Sequence, residues 1–207
     1  MLAQVAASAL ANLVLLVAVP FLLYRGWHRW RHRRTLAEVA RRAGLRAGLR
    51  AGPARYLAYA AVVAVLDIGV LLAWSPPVSS FIRHDSPQRV FADLGPGGTA
   101  LLMALIHGGI TTGFCEEFLF RGLPAGSLSR HLPGFAANLL QAAIFLLPHL
   151  LVLRARPELW PLLPVVFAAA LFLGWLRMRS GSIMGPWLFH AAINATVCLY
   201  VALGTSA

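Results

Sequence analysis

The sequence predicts an all-α protein, a polytopic membrane helical bundle of about six transmembrane helices. Three observations point there. Of the 207 residues, 59% are hydrophobic and only 12% are charged, where ordinary globular chains carry about 25% charged residues. Mean hydropathy is +0.71. The apolar residues fall in runs close to the ~20 residues that cross a bilayer as a helix, and Pro, Gly or Arg clusters separate the runs.

The first run is Leu2 to Tyr24. It lacks a basic stretch before it and is followed by one, which predicts a retained first helix with its N-terminus outside, not a cleaved leader. Arg25 to Arg55 is then a cytoplasmic segment. Within it Leu36, Val39, Ala40 and Ala43 recur at helical spacing opposite Arg41, Arg42 and Arg46. A helix lying on the inner leaflet and a solvated basic loop both satisfy that pattern. The second span runs from Tyr56 to Trp74, where Ser75-Pro76-Pro77 stops it. Val78 to Gly98 is polar, Pro- and Gly-rich and balanced in charge (Arg83 and Arg89 against Asp85 and Asp93), an external loop. The remaining helices are expected at Thr99–Gly126, from Gly134 to Leu153, at Trp160–Leu176 and at Ser182–Leu203. This order puts both termini outside and Arg25–Arg55, Arg130, Arg177 and Arg179 inside, as the positive-inside rule prefers. Arg154 and Arg156 fall on the wrong side of it.

The formal charge is +11, and all 18 basic residues are arginine. In a soluble chain this would indicate nucleic acid. Next to membrane helices a basic cluster reads instead as a topology signal and a contact for anionic lipids along 25–55, with no nucleic-acid partner. Cys115 and Cys198 sit in apolar stretches without metal-motif or disulfide-framework spacing and read as small buried hydrophobes. His28, His32, His84 and His131 fall in loops or interfaces and read as solvated. Gly108, Gly109 and Gly122 read as points of close helix approach, and Asp67 as an intramembrane acid without an assignable partner.

Only seven residues are acidic, and two of them, Glu116 and Glu117, are adjacent within an apolar helix. An ionisable group at the centre of a membrane helix costs roughly 2.5–3.5 kcal/mol on insertion scales, and adjacent carboxylates also repel. Such a pair marks an active site. Three polar groups interrupt the last four spans: Glu116-Glu117-x-x-x-Arg121, Phe145-x-x-x-His149 and His190-x-x-x-Asn194. Residues four apart share a helix face, so Arg121 can pair with Glu117 and leave Glu116 as the freer carboxylate. Counted at 1.5 Å per residue from boundaries near Ser127, Gly134 and Ser180, Glu116, His149, His190 and Asn194 lie at depths of roughly 16, 22, 15 and 21 Å.

These three motifs, in this order on successive hydrophobic helices, resemble the CPBP intramembrane proteases, the family of the CAAX prenyl endopeptidases and the bacterial Abi-type proteins. The resemblance covers about Leu101 to Leu203. It divides the chain into N-terminal helices with the basic segment and external loop (1–98) and a CPBP-like catalytic helical core (99–207) within one membrane domain. It implies a protease in which Glu116 activates water, His149 orients or polarises it, and His190 and Asn194 stabilise the oxyanion. Glu117 and Arg121 support Glu116, and Phe145, being apolar, packs. The substrate would be a membrane-anchored peptide or protein, in CAAX-type processing, peptide maturation or C-terminal anchor sorting, and the location a bacterial inner membrane. A divalent metal such as zinc stays open. Glu116, His149 and His190 are the candidate ligands, but no HExxH is present and the reading leans to metal-independent catalysis. The rivals are a non-catalytic bacteriocin-immunity or scaffold protein of the same fold and a proton or ion carrier using Glu116, Glu117, Asp67 and the histidines.

Overall fold

A computed structural model describes residues 1–45, 54–82, 86–155 and 157–204, without the side chains of 152–155, 158 and 159. Arg46 and Arg50 of the basic segment, Arg83, His84 and Asp85 of the loop, and Arg156 lie outside the described residues, as does the side chain of Arg154. The secondary structure is helical, with no strand among the described residues. In chain order the main helices are α1 (Leu2–His32), the short α2 (Leu36–Arg42), α3 (Ala54–Trp74), α4 (Gly98–Leu128), α5 (Gly134–Ala155), α6 (Leu163–Ser180) and α7 (Met184–Gly204). Among the described residues six segments are long and apolar enough to cross a membrane, and the all-α polytopic bundle expected from sequence holds. The chain is a multi-pass integral membrane protein.

Two departures from expectation concern the first half of the chain. Helix α1 does not stop at Tyr24 but continues through the first basic residues to His32. Arginine is a good helix former, so hydropathy marks where a membrane-length run ends, not where the helix ends. The loop after α3 also holds two short turns of helix, Val78–Ser80 and Arg89–Ala92.

The larger difference is in winding. Most of α4 is π-helical, over Leu105–Phe114 and Glu117–Ala125. The Thr111 and Thr112 hydroxyls donate to carbonyls five residues back, Ile106 at 3.4 Å and His107 at 3.1 Å. Pro124, with no N–H to give, lies in the second stretch. An i→i+5 pattern puts more residues into each turn and shortens the rise. The depth reckoned for Glu116 used an α-helical rise, so Glu116 lies closer to the Ser127 end of α4 than that estimate.

The chain forms two compact units. The first comprises Met1–Val19, Ala58–Cys115 and Trp187–Ala207. Its core is built largely of small residues, with Ala100, Ala104, Ala195, Cys198 and Ala202 packed around Val5, Phe91, Met103 and Val201. Small side chains let membrane helices approach closely enough for dispersion and polar contacts to hold them. Here the polar contacts run from Asn12 Nδ2 to the Thr111 carbonyl (2.9 Å), from Trp187 Nε1 to the Gly109 carbonyl (2.6 Å) and from the Tyr200 hydroxyl to the Pro76 carbonyl (2.7 Å).

The second unit comprises Pro20–Leu57 and Glu116–Pro186. Helices α5 and α6 are joined by amides: Gln141 Nε2 donates to the Ala170 carbonyl at 2.8 Å and Asn138 Nδ2 to the Leu171 carbonyl at 2.9 Å. Helix α6 ends at Gly181, whose φ of +69° is the left-handed C-cap that glycine adopts without strain. Arg177, expected as a topology charge on the inner side, is buried. Its Nε donates to the Arg121 carbonyl (3.0 Å) and its Nη2 to the Arg42 carbonyl (2.8 Å). His28 is likewise buried, not solvated, because the continued α1 turns it against the Tyr24 ring.

Of the two readings of the basic segment, the structure takes the helix at α2. Thr35 caps it: its hydroxyl accepts from the Glu38 N–H, and the Glu38 carboxylate accepts from the Thr35 N–H at 2.8 Å. The Thr35-x-x-Glu38 signature of this capping box was present in the sequence. Val39 and Ala43 are buried while Leu36 is exposed. The bonds from Thr35 hold the Glu38 carboxyl below its ordinary value. A depressed carboxyl contributes stability that is present above its unfolded pKa and lost as pH falls through its folded one. Hydrogen exchange at the α2 amides, taken relative to its intrinsic rate at each pH, is therefore expected to accelerate on acidification through that range. Thr35→Ala, a lost N-cap worth about 1 kcal/mol, should accelerate it at neutral pH and flatten the acid response.

Candidate active site

The glutamates occupy the junction of the two π-helical stretches of α4. Their environments differ. Glu117 and Arg121 are completely buried and paired, with Arg121 Nη1 donating to Glu117 Oε1 at 3.0 Å. This is the i,i+4 pairing expected from the motif. Glu116 is half-buried. A charge buried this completely in an apolar helix persists only when paired, and Arg121 supplies the pair while its own backbone carbonyl is held by Arg177.

The second motif meets the first through an aromatic face. The Arg121 guanidinium carbon lies 4.0 Å from the centre of the Phe145 ring. A desolvated cation over a ring face gains about 2 kcal/mol, so Phe145 does more than fill space. It also packs edge-to-face on Phe120 at 5.0 Å and lies 4.8 Å from the His149 ring. The sequence reading treated Phe145 as packing alone. The signal that it belongs with Arg121 was its place in Phe145-x-x-x-His149, one helical turn from the imidazole.

His149 is half-buried, with Nδ1 3.0 Å from the Phe145 carbonyl. A carbonyl oxygen only accepts, so Nδ1 carries the hydrogen and the neutral ring presents its lone pair at Nε2. Held this way, the imidazole can accept a hydrogen bond from water or a ligand at Nε2.

The third motif belongs to α7 in the other unit. His190 and Asn194 are both half-buried, and Asn194 Nδ2 donates to the His190 carbonyl at 3.1 Å. A primary amide has two N–H groups, so this bond uses one and leaves Asn194 a second to donate. Within that unit α7 is set against α4 at Gly108. A Cβ there would come 2.5 Å from the Ala195 nitrogen and 3.0 Å from the Ala191 carbonyl, the two residues that flank Asn194 and His190. Gly109 faces open space, contrary to its expected role, and contributes its carbonyl to Trp187. Gly108→Val should therefore lower stability by about 1–3 kcal/mol through overpacking against backbone, whereas Gly109→Ala should be near neutral. Thermal unfolding in detergent distinguishes them, and equal effects would refute the close-approach account.

His107 is buried beside Phe91, with ring centres 6.1 Å apart, and lies in the core of the first unit. Asp67 is exposed on α3. Both cysteines are buried thiols, as expected. Among the described residues no three His, Cys, Asp or Glu side chains form a group that could hold a metal ion. Two polar residues outside the motifs, the half-buried Asn138 and the buried Gln141, hold backbone carbonyls of α6, and Arg177 holds that of Arg121.

A multi-pass helical membrane protein with carboxylate, imidazole and amide groups set along its spans is the class defined by fold and motifs. Residues 98–196, the segment that holds all three motifs, match the family model Type II CAAX prenyl endopeptidase Rce1-like. The match spans just under half of the chain and supports a protease in general. No curated protein and no solved structure gives a match.

Proposed function

We propose that the protein is an intramembrane endopeptidase that hydrolyses a peptide bond of a membrane-anchored peptide or protein, with Glu116, His149, His190 and Asn194 as its catalytic residues. The observation that carries the reading is the unequal pair of glutamates. Glu117 is consumed in a buried ion pair with Arg121, and its neighbour Glu116 is half-buried and carried on the same rigid helix. The family match of this segment supports it.

In this reading Glu116 takes a proton from water, whose oxygen attacks the scissile carbonyl carbon. His149, accepting at Nε2, orients that water. The carbonyl electron pair moves onto oxygen, where N–H groups of His190 and Asn194 stabilise it. Collapse of the tetrahedral intermediate breaks the C–N bond, and the proton on Glu116 passes to the leaving amine. The catalytic core is 99–207, and the location is a bacterial inner membrane. Reconstituted protein given lipidated, membrane-anchored peptides ending in a CAAX-type sequence should release the C-terminal fragment. The same peptides without the lipid anchor should be cut more slowly. Absence of any cleavage, with fold and reconstitution intact, would instead favour the non-catalytic immunity or scaffold role.

A further inference from the structure

Outside the catalytic motifs, the second unit carries a polar pocket of about 520 Å³ lined by Tyr24, Trp27, His28, His32, Arg34, Arg42, Ser127, Arg130 and His131. Three arginines from three segments face it: Arg34 after α1, Arg42 at the end of α2 and Arg130 after α4. Its lining contains no carboxylate; Glu38 lines an adjoining hollow with Arg34, Arg41 and Arg42. Contacts tie the lining together. Arg130 Nη2 donates to the Tyr24 hydroxyl at 2.9 Å, Arg34 Nη1 lies 3.0 Å from His28 Nδ1, and Tyr24 meets His28 edge-to-face at 4.3 Å. Because an arginine only donates, His28 Nδ1 is the acceptor and Nε2 carries the hydrogen. That N–H belongs to a side chain only 7% exposed, and it has no hydrogen-bond partner among the described residues.

Like charges gathered in a concave pocket repel one another unless an anion joins them, and a buried donor without a partner is costly to leave unsatisfied. Guanidinium groups match phosphate oxygens in geometry as well as charge. The pocket lies at the end of a membrane-length helix whose outer face is apolar, with Leu22, Leu23, Trp27 and Trp30 exposed. Tryptophan at that position is characteristic of the headgroup level of a bilayer. We infer that this pocket binds the phosphate headgroup of an anionic phospholipid, with Arg34, Arg42, Arg130 and the His28 Nε2–H as its donors. The site is more specific than a diffuse attraction along 25–55, because Ser127, Arg130 and His131 come from a distant part of the chain. It does not depend on the catalytic reading.

The test is retention of phosphatidylglycerol by the purified full chain, read by native mass spectrometry and by the rise in thermal unfolding temperature on adding the lipid, against phosphatidylcholine. The wild type is compared with Arg34→Gln/Arg42→Gln and with Arg29→Gln/Arg31→Gln, which removes two exposed charges that do not line the pocket. The pocket variant should bind phosphatidylglycerol about fivefold more weakly per arginine removed, and the control variant should match wild type. If the pocket variant proves unfolded, Arg42→Gln alone serves. Equal weakening in both variants, or equal retention of phosphatidylcholine, would overturn a defined site. Full displacement of the lipid by inorganic phosphate would show a free-phosphate site and overturn the lipid assignment.

Discussion

Glu116→Gln is expected to lower peptide cleavage by about 10²–10⁴-fold, the usual contribution of a general base, with little change in folding. Glutamine keeps the shape and most of the hydrogen-bonding capacity of the side chain but cannot take a proton from water. The half-buried position of Glu116 means that no large desolvation energy changes with the substitution. The rate is measured on a reconstituted, membrane-anchored peptide, and unfolding in detergent is measured alongside. A Glu116→Gln protein that cuts at near wild-type rate would remove Glu116 from the base role. Loss of cleavage together with loss of fold would fail to assign it chemistry, and in that case Glu116→Asp, which keeps a carboxylate, must restore part of the rate.

Arg121→Met should cost about 3–5 kcal/mol, because it leaves the fully buried Glu117 carboxylate without its counter-charge. The companion double variant Glu117→Met/Arg121→Met removes both charges and should recover most of that loss, since an apolar pair of similar volume is often neutral or stabilising. Unfolding of wild type, both single variants and the double variant forms a cycle that isolates the coupling. A single variant within about 1 kcal/mol of wild type, the range of an exposed pair, would contradict the buried-pair account. The double variant also separates structure from catalysis. If it folds but cleaves slowly, the pair holds Glu116 in position and does more than stabilise α4.

The parts of the fold legible beforehand are those that local composition dictates. Helix α3 ends at Trp74 because Ser75-Pro76-Pro77 cannot continue it, and the Glu117–Arg121 pair follows from four-residue spacing. The end of α1 was misjudged because arginine breaks an apolar run without breaking a helix. The capping box at Thr35 was legible and passed over. The π-winding of α4 was not legible, since it depends on which of two nearly equivalent carbonyls each N–H selects, and Thr111, Thr112 and Pro124 only bias that choice.

By itself the sequence determined that this is a membrane bundle, where its spans lie and which polar residues interrupt them. Burying some 20 apolar residues in a row and tolerating a carboxylate pair among them are energetic statements that hold in any arrangement of the helices. Tertiary structure alone decided what those polar groups meet. It placed Arg121 over Phe145, turned Arg177 from a topology signal into a clamp on the Arg121 and Arg42 carbonyls, and gathered Arg34, Arg42 and Arg130 around one pocket. These contacts join residues distant in the chain. Their energies depend on distance, geometry and exclusion of water, which residue spacing along a helix does not encode.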